Sequence, residues 1–472
     1  MDRRQFLEIA AAAGVCALRP ASSDAVARAN VVNDVSQLNP VTVAEQRRPH
    51  STDEVRVALQ TSLRSVSVGG ARFSMGGQIA ATDSLHLDMR GMKNVVWFEP
   101  SRRRIRVQAG MTWRDVQDVI DPHDLSVKIM QSYSNFTVGG SVSVNCHGRY
   151  VGRGPIANAV HAVQLVTAAG DVLELARSHE RELFGAVIGS YGGLGVITEV
   201  ELELEDNVRV ERVVQDISLD QYPTYFREKV LTNPDVILHN ADLGPPDFAA
   251  PRSISWIKTD RPVTEMARLV PRDLDYSFEK NAIWAISELP GGSVIRDSIS
   301  DELLLRRNVV AWQNHEASAD VASLEPRTRI ISTYLLQEYF IPSTKFLQFA
   351  EQMAHILKAR NVNALNVSIR HSPEDSNTLM RWAATEVFSF VLYYKQGANQ
   401  RASEEVGLWT RELIGAALDN GGRYYLPYRL DATPTQFIRA YPEARAFAAL
   451  KLRIDPRRRF RNLLWDKYLH LG

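Results

Sequence analysis

Alternating apolar and polar residues dominate the first part of the chain and predict short β-strands. The clearest case is the sequence EVELEL at residues 199–204. Residues 112–120 have the spacing of a short helix, and a turn at residues 169–171 separates two apolar runs, as in a β-hairpin. The predicted strands cover residues 66–68, 85–89, 94–98, 104–107, 163–167, 172–175 and 199–204.

Longer helical patterns separate the strands in the middle of the chain. Amphipathic spacing predicts helices over residues 344–359 and 403–418, and apolar runs predict strands over residues 330–339, 362–370 and 387–395. This mixture predicts a second α+β unit, which we interpret as a lobe that covers a substrate.

Composition narrows the classes of function. The chain has 472 residues, of which 45% are hydrophobic, so it can bury a large core in more than one lobe. Its formal net charge is zero, and no basic run with interleaved aromatic residues occurs, which argues against a nucleic-acid partner and favours a small-molecule substrate. No GxGxxG, GxxxxGK[ST], HExxH or paired CxxC motif is present, so we expect neither a Rossmann domain nor a metal site.

The first residues resemble a twin-arginine export signal. Residues 2–7 read DRRQFL, the apolar stretch at residues 9–18 is too short to span a bilayer, and residues 25–27, AVA, offer a cleavage site. This pattern predicts export of the folded protein by the twin-arginine machinery to the periplasm or the extracellular space, and a cytoplasmic location if the signal is not used. Removal of residues 1–27 would leave Cys146 as the one cysteine, so the mature fold would contain no internal disulfide.

Three glycine-rich segments carry the candidate chemistry. Residues 68–78, VGGARFSMGGQ, follow a predicted strand, and their glycines let backbone N–H groups approach a diphosphate, although such a loop alone is also compatible with a plain turn. Residues 132–148, SYSNFTVGGSVSVNCHG, contain small and hydroxyl-bearing side chains that suit a buried polar ligand. Residues 191–198, YGGLGVIT, lead into the alternating strand.

In this order and at this spacing, the three segments resemble the FAD-binding domain of the vanillyl-alcohol oxidase, or PCMH-type, flavoprotein superfamily. The chain end, at residues 447–451, 455–456 and 460–462, looks like the C-terminal segment of its sugar oxidase branch. The pattern is closest to the aldonolactone and alditol oxidases and the decaprenylphosphoryl-ribose oxidases.

The resemblance implies an α+β fold: a two-lobed FAD-binding domain with an α+β substrate-covering domain on an antiparallel sheet. The domain boundaries expected from it are 1–27 for the signal, 40–205 for the FAD-binding domain, 206–415 for the substrate or cap domain, and 416–472 for a C-terminal segment that returns to the FAD-binding domain.

The same resemblance implies noncovalent FAD. Several members attach the flavin through a histidine at the position held here by Phe73, which has no nucleophile, and Cys146 does not lie in the pattern of members that use a cysteine. Cys146 is therefore interpreted as a small buried residue. The expected cofactor-binding residues are Gly69, Gly70, Ala71, Arg72, Phe73, Ser74, Gly77, Gln78, Thr137, Val138, Gly139, Gly140, Ser143, His147, Gly148, Gly195, Val196, Ile197 and Asn462.

Candidate catalytic residues come from three places. His147 matches a histidine near the flavin ring in the resembling oxidases, with a structural role as the alternative. In residues 421–428, GGRYYLPY, Tyr425 and Tyr428 stand where sugar and alditol oxidases carry a histidine and a lysine. Tyr428 could donate a hydrogen bond, act as a base if nearby cations lower its pKa, or simply pack as a core aromatic residue.

Arg370 matches an arginine that reaches the substrate pocket in alditol oxidases, but their glutamate two positions earlier is replaced here by Ser368. Glu338 and Lys395 are weaker pocket candidates, and for both a salt bridge on the rim of the sheet is the favoured interpretation.

The function expected from the resemblance is FAD-dependent oxidation of a hydroxyl-bearing carbon of a small sugar, lactone, alditol or similar alcohol, by hydride transfer to flavin N5. Oxygen or another electron acceptor would reoxidise the flavin. Two alternatives remain open: a flavin-bearing binding protein without turnover, and an exported solute-binding protein with no flavin.

Overall fold

The computed structural model describes residues 30–288, 308–326 and 328–469, so the expected signal at residues 1–27 lies outside the described residues. In the first part of the chain, a strand lies at each predicted position, and the predicted short helix is present. Its strands are β1 (Val31–Val32), β2 (Val41–Thr42), β3 (Glu45–Arg47), β4 (Val66–Gly69), β5 (Leu85–Asp88), β6 (Val95–Glu99), β7 (Arg104–Gln108), β8 (Leu125–Val127), β9 (Val160–Val166), β10 (Val172–Ala176) and β11 (Val196–Asp206). Its helices are α1 (Thr52–Thr61), α2 (Trp113–Ile120), α3 (Val138–Ser143) and α4 (Arg181–Val187).

Two main sheets form this first part. A small parallel sheet has the strand order β3-β5-β4, and a larger antiparallel sheet has the order β10-β9-β11-β7-β6, with β8 paired to β11. The predicted hairpin is formed by β9 and β10. Helix α2 begins at a capping box, in which Thr112 and Asp115 each accept a hydrogen bond from the other's backbone N–H.

The second part is built on one eight-stranded antiparallel sheet, as expected. Its strand order is β15-β12-β14-β13-β17-β18-β16-β19. The strands are β12 (Arg209–Asp216), β13 (Val236–Leu243), β14 (Arg252–Lys258), β15 (Val310–Trp312), β16 (Ser332–Pro342), β17 (Ala364–Ser372), β18 (Val387–Gly397) and β19 (Arg423–Tyr424). The helices are α5 (Tyr222–Tyr225), which continues into a π-helical turn (Phe226–Leu231), α6 (Ser277–Glu288), α7 (Gln313–Ala317), α8 (Phe346–Ala359) and α9 (Gln400–Asp419). We call this part the cap lobe.

The end of the chain packs against the first part. It forms helices α10 (Pro434–Ala440), α11 (Ala444–Ile454) and α12 (Leu463–Tyr468). Phe460 makes a parallel bridge with Val66 on β4, and Lys451 donates hydrogen bonds to the carbonyls of Gly193 and Phe460 and to Asp455. These buried contacts hold the C-terminal segment against the glycine-rich segments of the first part.

Among the described residues, none of the helices has the length and apolar character needed to cross a membrane.

Candidate active site

A continuous cleft runs between the first part and the cap lobe. It consists of a cavity of about 190 Å³ and an adjoining cavity of about 80 Å³. The two cavities share part of their lining, which comes from the first two glycine-rich segments and the residue after the first of them: Gly70, Ser74, Ile79, Thr137, Gly140 and Val144.

The loop at residues 68–78 leaves β4 and forms one wall of the cleft. Arg72 has a φ of 66°, in the left-handed region, so the loop turns sharply. The side-chain amide of Gln78 donates hydrogen bonds to the carbonyl oxygens of Leu426 (2.6 Å) and Tyr428 (2.8 Å). Gln78 therefore joins this loop to the chain segment that carries the two candidate catalytic tyrosines, Tyr425 and Tyr428.

The second glycine-rich segment lies directly against this loop. A Cβ atom on Gly70 would come within 2.2 Å of Thr137 Oγ1, at the start of α3, so only glycine allows this close approach. Gly139 packs in the same way on Ala109. These glycines bring two backbone segments together along the cleft.

The cap lobe presents one face of its sheet to the cleft. Side chains on a strand alternate between faces, and Tyr334, Leu336 and Glu338 of β16 all line the cavity. Glu338 pairs in register with Val391 of β18, and Val391 pairs with Ser368 of β17, so the three residues form one row across the sheet. Ser368 stands where alditol oxidases carry a glutamate. In this chain the carboxylate of Glu338 lies two strands away in the same row.

At one end of this face, Glu338 contacts His147 from the first part. The distance from His147 Nε2 to Glu338 Oε1 is 2.6 Å, and the side chains are only 5% and 2% exposed. Aromatic rings surround the histidine: Trp382 lies at 4.8 Å between ring centroids, Phe340 at 5.6 Å and Tyr425 at 6.0 Å. The imidazole and the carboxylate are therefore in ion-pair contact, although Glu338 Oε1 has no hydrogen-bond partner among the described residues.

The ionisation of this end of the cleft follows from its neighbours. Burial acts to raise the pKa of Glu338, but the attraction of His147 and Arg370 outweighs it and holds the pKa below its ordinary value. Burial also raises the pKa of Tyr428 well above its ordinary value, and the nearby Glu338 adds to the effect. Glu338 is therefore a carboxylate at neutral pH, and Tyr428 is a neutral phenol.

The candidate tyrosines differ in what they can do. The Tyr428 hydroxyl donates to Glu338 Oε2 at 3.5 Å, so it is a hydrogen-bond donor, and its raised pKa removes the basis for the expected phenolate. The Tyr425 hydroxyl donates to the carbonyl oxygen of Val144 at 2.8 Å. Tyr425 thus ties the cap lobe to the end of α3.

Two expectations about charged residues have different outcomes. The sheet-rim salt bridge expected for Glu338 is wrong, because this residue is buried and lines the cavity. Lys395 is not among the residues that line the cavity; it is half-buried and donates to the carbonyl oxygen of Ser287 at 3.3 Å, and the salt bridge expected for it stays a prediction. Arg370 lines the cavity, and its Nε is a buried donor without a hydrogen-bond partner among the described residues.

Most of the expected cofactor residues lie on the cleft. Those that line it are Gly70, Ala71, Arg72, Phe73, Ser74, Gln78, Thr137, Gly139, Gly140, Ser143, His147, Gly195 and Ile197. The others pack next to it: Gly69 against His86, Gly77 against Leu463, Gly148 against Met130, and Val138 and Val196 in the core. Asn462 caps helix α12 and donates to the carbonyl oxygen of Tyr191 at 2.7 Å.

Two residues considered for covalent attachment have packing contacts. Phe73 lies 4.6 Å from Phe136 between ring centroids, on the wall of the cavity. Cys146 is 1% exposed, and burial raises the pKa of its thiol well above its ordinary value, so it is a poor nucleophile.

The comparison with known proteins agrees with this architecture. Residues 46–176 match the model of a family described as an FAD-binding domain. This part of the chain is therefore similar to the FAD-binding domain of the PCMH-type flavoproteins, and the relatives it matches include aldonolactone and alditol oxidases.

Individual relatives include sugar-lactone and alditol enzymes. L-gulonolactone oxidase of Bos taurus is 29% identical over 199 residues, which are 41% of this chain and 43% of the relative. Alditol oxidase of Streptomyces sp. is 31% identical over 166 residues, 35% of this chain and 39% of the relative. Mitochondrial L-galactono-1,4-lactone dehydrogenase of Brassica oleracea is 25% identical over 197 residues, 40% of this chain and 33% of the relative. The chain thus matches between 33% and 43% of the length of these relatives.

The cleft fits FAD on structural grounds. The two cavities join along the glycine-rich segments, which gives room for an extended ligand. Arg72 Nε and Ser132 Oγ are buried polar atoms on this wall that have no hydrogen-bond partner among the described residues, as expected where a ligand supplies the partners. The residues that would hold the cofactor are those of the loop at 68–78 and of α3.

Proposed function

We propose that this protein is an FAD-linked oxidoreductase that oxidises a hydroxyl-bearing carbon of a small sugar, lactone, alditol or similar alcohol. The observation that carries the proposal is the His147–Glu338 pair at the end of a cleft that the FAD-binding domain shares with the cap lobe. The chemistry that FAD supplies when bound is acceptance of a hydride. The chain must then remove the hydroxyl proton and orient the carbon.

The residues at the polar end of the cleft suit these two tasks. His147 accepts the hydroxyl proton, while the Glu338 carboxylate beside its Nε2 stabilises the imidazolium that forms. Arg370, beside the same carboxylate, donates hydrogen bonds to a substrate oxygen through its guanidinium. Tyr428 keeps one oxygen of Glu338 in place, and Tyr425 positions the segment that carries both tyrosines.

Anaerobic reduction of the flavin tests this proposal. The purified protein is expected to contain FAD, and the absorbance of the oxidised flavin should decrease when an oxidisable alcohol is added without oxygen. The test panel contains L-gulono-1,4-lactone, L-galactono-1,4-lactone, sorbitol, 1-hexanol and cinnamyl alcohol. If dithionite reduces the flavin but none of these compounds reduces it, the result would favour a binding protein without turnover. A colourless protein would favour a flavin-free solute-binding protein.

Noncovalent attachment of FAD is part of the proposal, because Phe73 and Cys146 offer no reactive nucleophile. Acid precipitation should release the flavin into the supernatant. Flavin that stays with the washed pellet would contradict noncovalent binding.

Export through the twin-arginine machinery to the periplasm or the extracellular space is also proposed, on the sequence DRRQFL at residues 2–7. Replacing Arg3 and Arg4 with lysine should leave folded, flavin-loaded protein in the cytoplasm. An unchanged distribution between the compartments would show that these residues are not an export signal.

A further inference from the structure

The part of the cavity beyond the His147–Glu338 pair has a largely apolar wall. On the cap lobe this wall consists of side chains from β16, β18 and a short 3-10 helix (Val321–Leu324), which are Val321, Leu324, Tyr334, Leu336, Val391 and Tyr393. On the opposite side, Phe73 and Phe136 face the same space with their rings in contact.

The tyrosines of this wall do not offer hydroxyl groups for recognition. The Tyr393 hydroxyl donates to the carbonyl oxygen of Leu324 at 2.8 Å, and the Tyr334 hydroxyl is hydrogen-bonded to Ser287 Oγ. Their rings lie 5.9 Å apart between centroids. Both residues therefore present aromatic faces, and their polar ends are used within the protein.

Polar groups also line the cavity. Glu338, His147, Tyr428 and Arg370 gather at one end. Ser132, Tyr133 and the half-buried Glu325 and Arg329 line it too, and Arg329 donates to Thr333 Oγ1 at 2.6 Å. A polyol has a hydroxyl on every carbon, and each one buried against the apolar wall would lose its hydrogen bonds to water. An alcohol with a single hydroxyl and an apolar body could place its hydroxyl at the polar end of the cavity and its body against the apolar wall.

We infer that the substrate is an amphipathic alcohol, with its hydroxyl at the His147–Glu338 end and an aliphatic or aromatic body against the wall formed by Leu336, Val391 and Tyr393. The inference rests on the proposed function and narrows its substrate class. Within the proposed substrate class, free sugars, alditols and unsubstituted sugar lactones are then expected to reduce the flavin more slowly than such an alcohol.

A matched pair of six-carbon compounds tests the inference. The holoprotein is reduced anaerobically with 1-hexanol and with sorbitol, which differ in their hydroxyl groups, and kcat/KM for flavin reduction is compared. Because each unpaired hydroxyl is expected to cost about tenfold, 1-hexanol should exceed sorbitol by at least about 100-fold. An equal or higher kcat/KM for sorbitol would overturn the inference and leave the proposed oxidation intact.

Binding without turnover separates this inference from the oxidation itself. The tertiary alcohol 2-methylhexan-2-ol has no hydrogen on its carbinol carbon, so it can occupy the cavity but cannot be oxidised. Equilibrium dialysis should show that it binds at least about tenfold more tightly than sorbitol. Tighter binding of 2-methylhexan-2-ol, together with no flavin reduction by any alcohol, would support the apolar site and refute the proposed oxidation. Tighter binding of sorbitol would refute the apolar site.

Val391→Thr gives a matched variant, because it adds a hydroxyl to the wall with little change in shape. It should lower kcat/KM for 1-hexanol relative to sorbitol by about tenfold. Val387→Thr is the control, because Val387 lies on the same strand, in the core cluster that contains Trp382 and Phe340, and does not line the cavity. The same loss in both variants, or in neither, would show that Val391 does not contact the substrate.

Discussion

Replacing Glu338 with glutamine removes the negative charge that faces His147 and changes the shape of the site little. The carboxylate lies 2.6 Å from His147 Nε2, and both side chains are shielded from water. A hydrogen bond to a charged group contributes about 1.5–3 kcal/mol. Since about 1.36 kcal/mol corresponds to a tenfold change in rate, Glu338→Gln should slow flavin reduction about 10- to 150-fold.

The assay is anaerobic stopped-flow reduction of the flavin, measured across a range of pH with the best alcohol of the panel. Glu316→Gln is the matched control, because Glu316 is also a partly buried carboxylate, paired with Arg149 at 2.7 Å, but does not line the cavity. The flavin content and the melting temperature of both variants establish that they are folded. A Glu338→Gln variant that reduces its flavin at the wild-type rate over the whole pH range would refute the proton-acceptor role of the pair.

Four further predictions concern Tyr428, Glu338, Lys451 and Cys146. Tyr428→Phe removes one hydrogen bond to the Glu338 carboxylate, which is weak because it is 3.5 Å long, and should slow flavin reduction only about 2- to 12-fold. A loss above about 100-fold in stopped-flow reduction would make Tyr428 the proton-transfer group itself. Because the folded-state pKa of Glu338 is lowered, its ionised carboxylate should stabilise the fold fully above about pH 4.5, and this contribution should be lost as the pH falls through the folded-state pKa. Glu338→Gln should therefore flatten the acid side of a plot of unfolding free energy against pH. An unchanged slope would contradict this. Lys451→Met leaves Asp455 buried without its cation and should destabilise the protein by about 3–5 kcal/mol in urea unfolding, where a change below about 1 kcal/mol would show that this pair does not anchor the C-terminal segment. Cys146 should react with a thiol reagent only after unfolding in guanidinium chloride, and labelling of the native protein would show that the thiol is accessible.

Local patterns were sufficient to predict much of the fold. Strict alternation identified β11, and apolar runs identified β16, β17 and β18 within two or three residues of their ends. The strands β12 to β15 were not predicted. Strand β12, for example, has the sequence RVERVVQD, in which charged residues interrupt the apolar positions, so its pairing with β14 and β15 in the cap sheet decides its structure.

The candidate site was harder to predict, because it depends on which strands become neighbours. Glu338 and His147 are far apart in sequence, and only the register of the cap sheet and the docking of the two lobes bring them together. One signal was available: Glu338 is the single charged residue in the otherwise apolar and neutral run STYLLQEYFIP of β16. A charge in such a strand indicates either a partner across the fold or a functional site. The apolar wall was also not predicted, because Leu336, Val391 and Tyr393 look like ordinary core residues in the sequence.

The most direct test of the proposed function is a single-turnover measurement on the purified holoprotein. Under anaerobic conditions, the loss of oxidised flavin absorbance after addition of an alcohol is compared with the amount of aldehyde or ketone formed, for instance cinnamaldehyde from cinnamyl alcohol. An FAD-linked alcohol oxidation predicts one molecule of carbonyl product for each flavin reduced, at a rate that falls in Glu338→Gln but not in Glu316→Gln. Flavin that remains oxidised with every alcohol of the panel, or that is reduced without a carbonyl product, would contradict the proposed function.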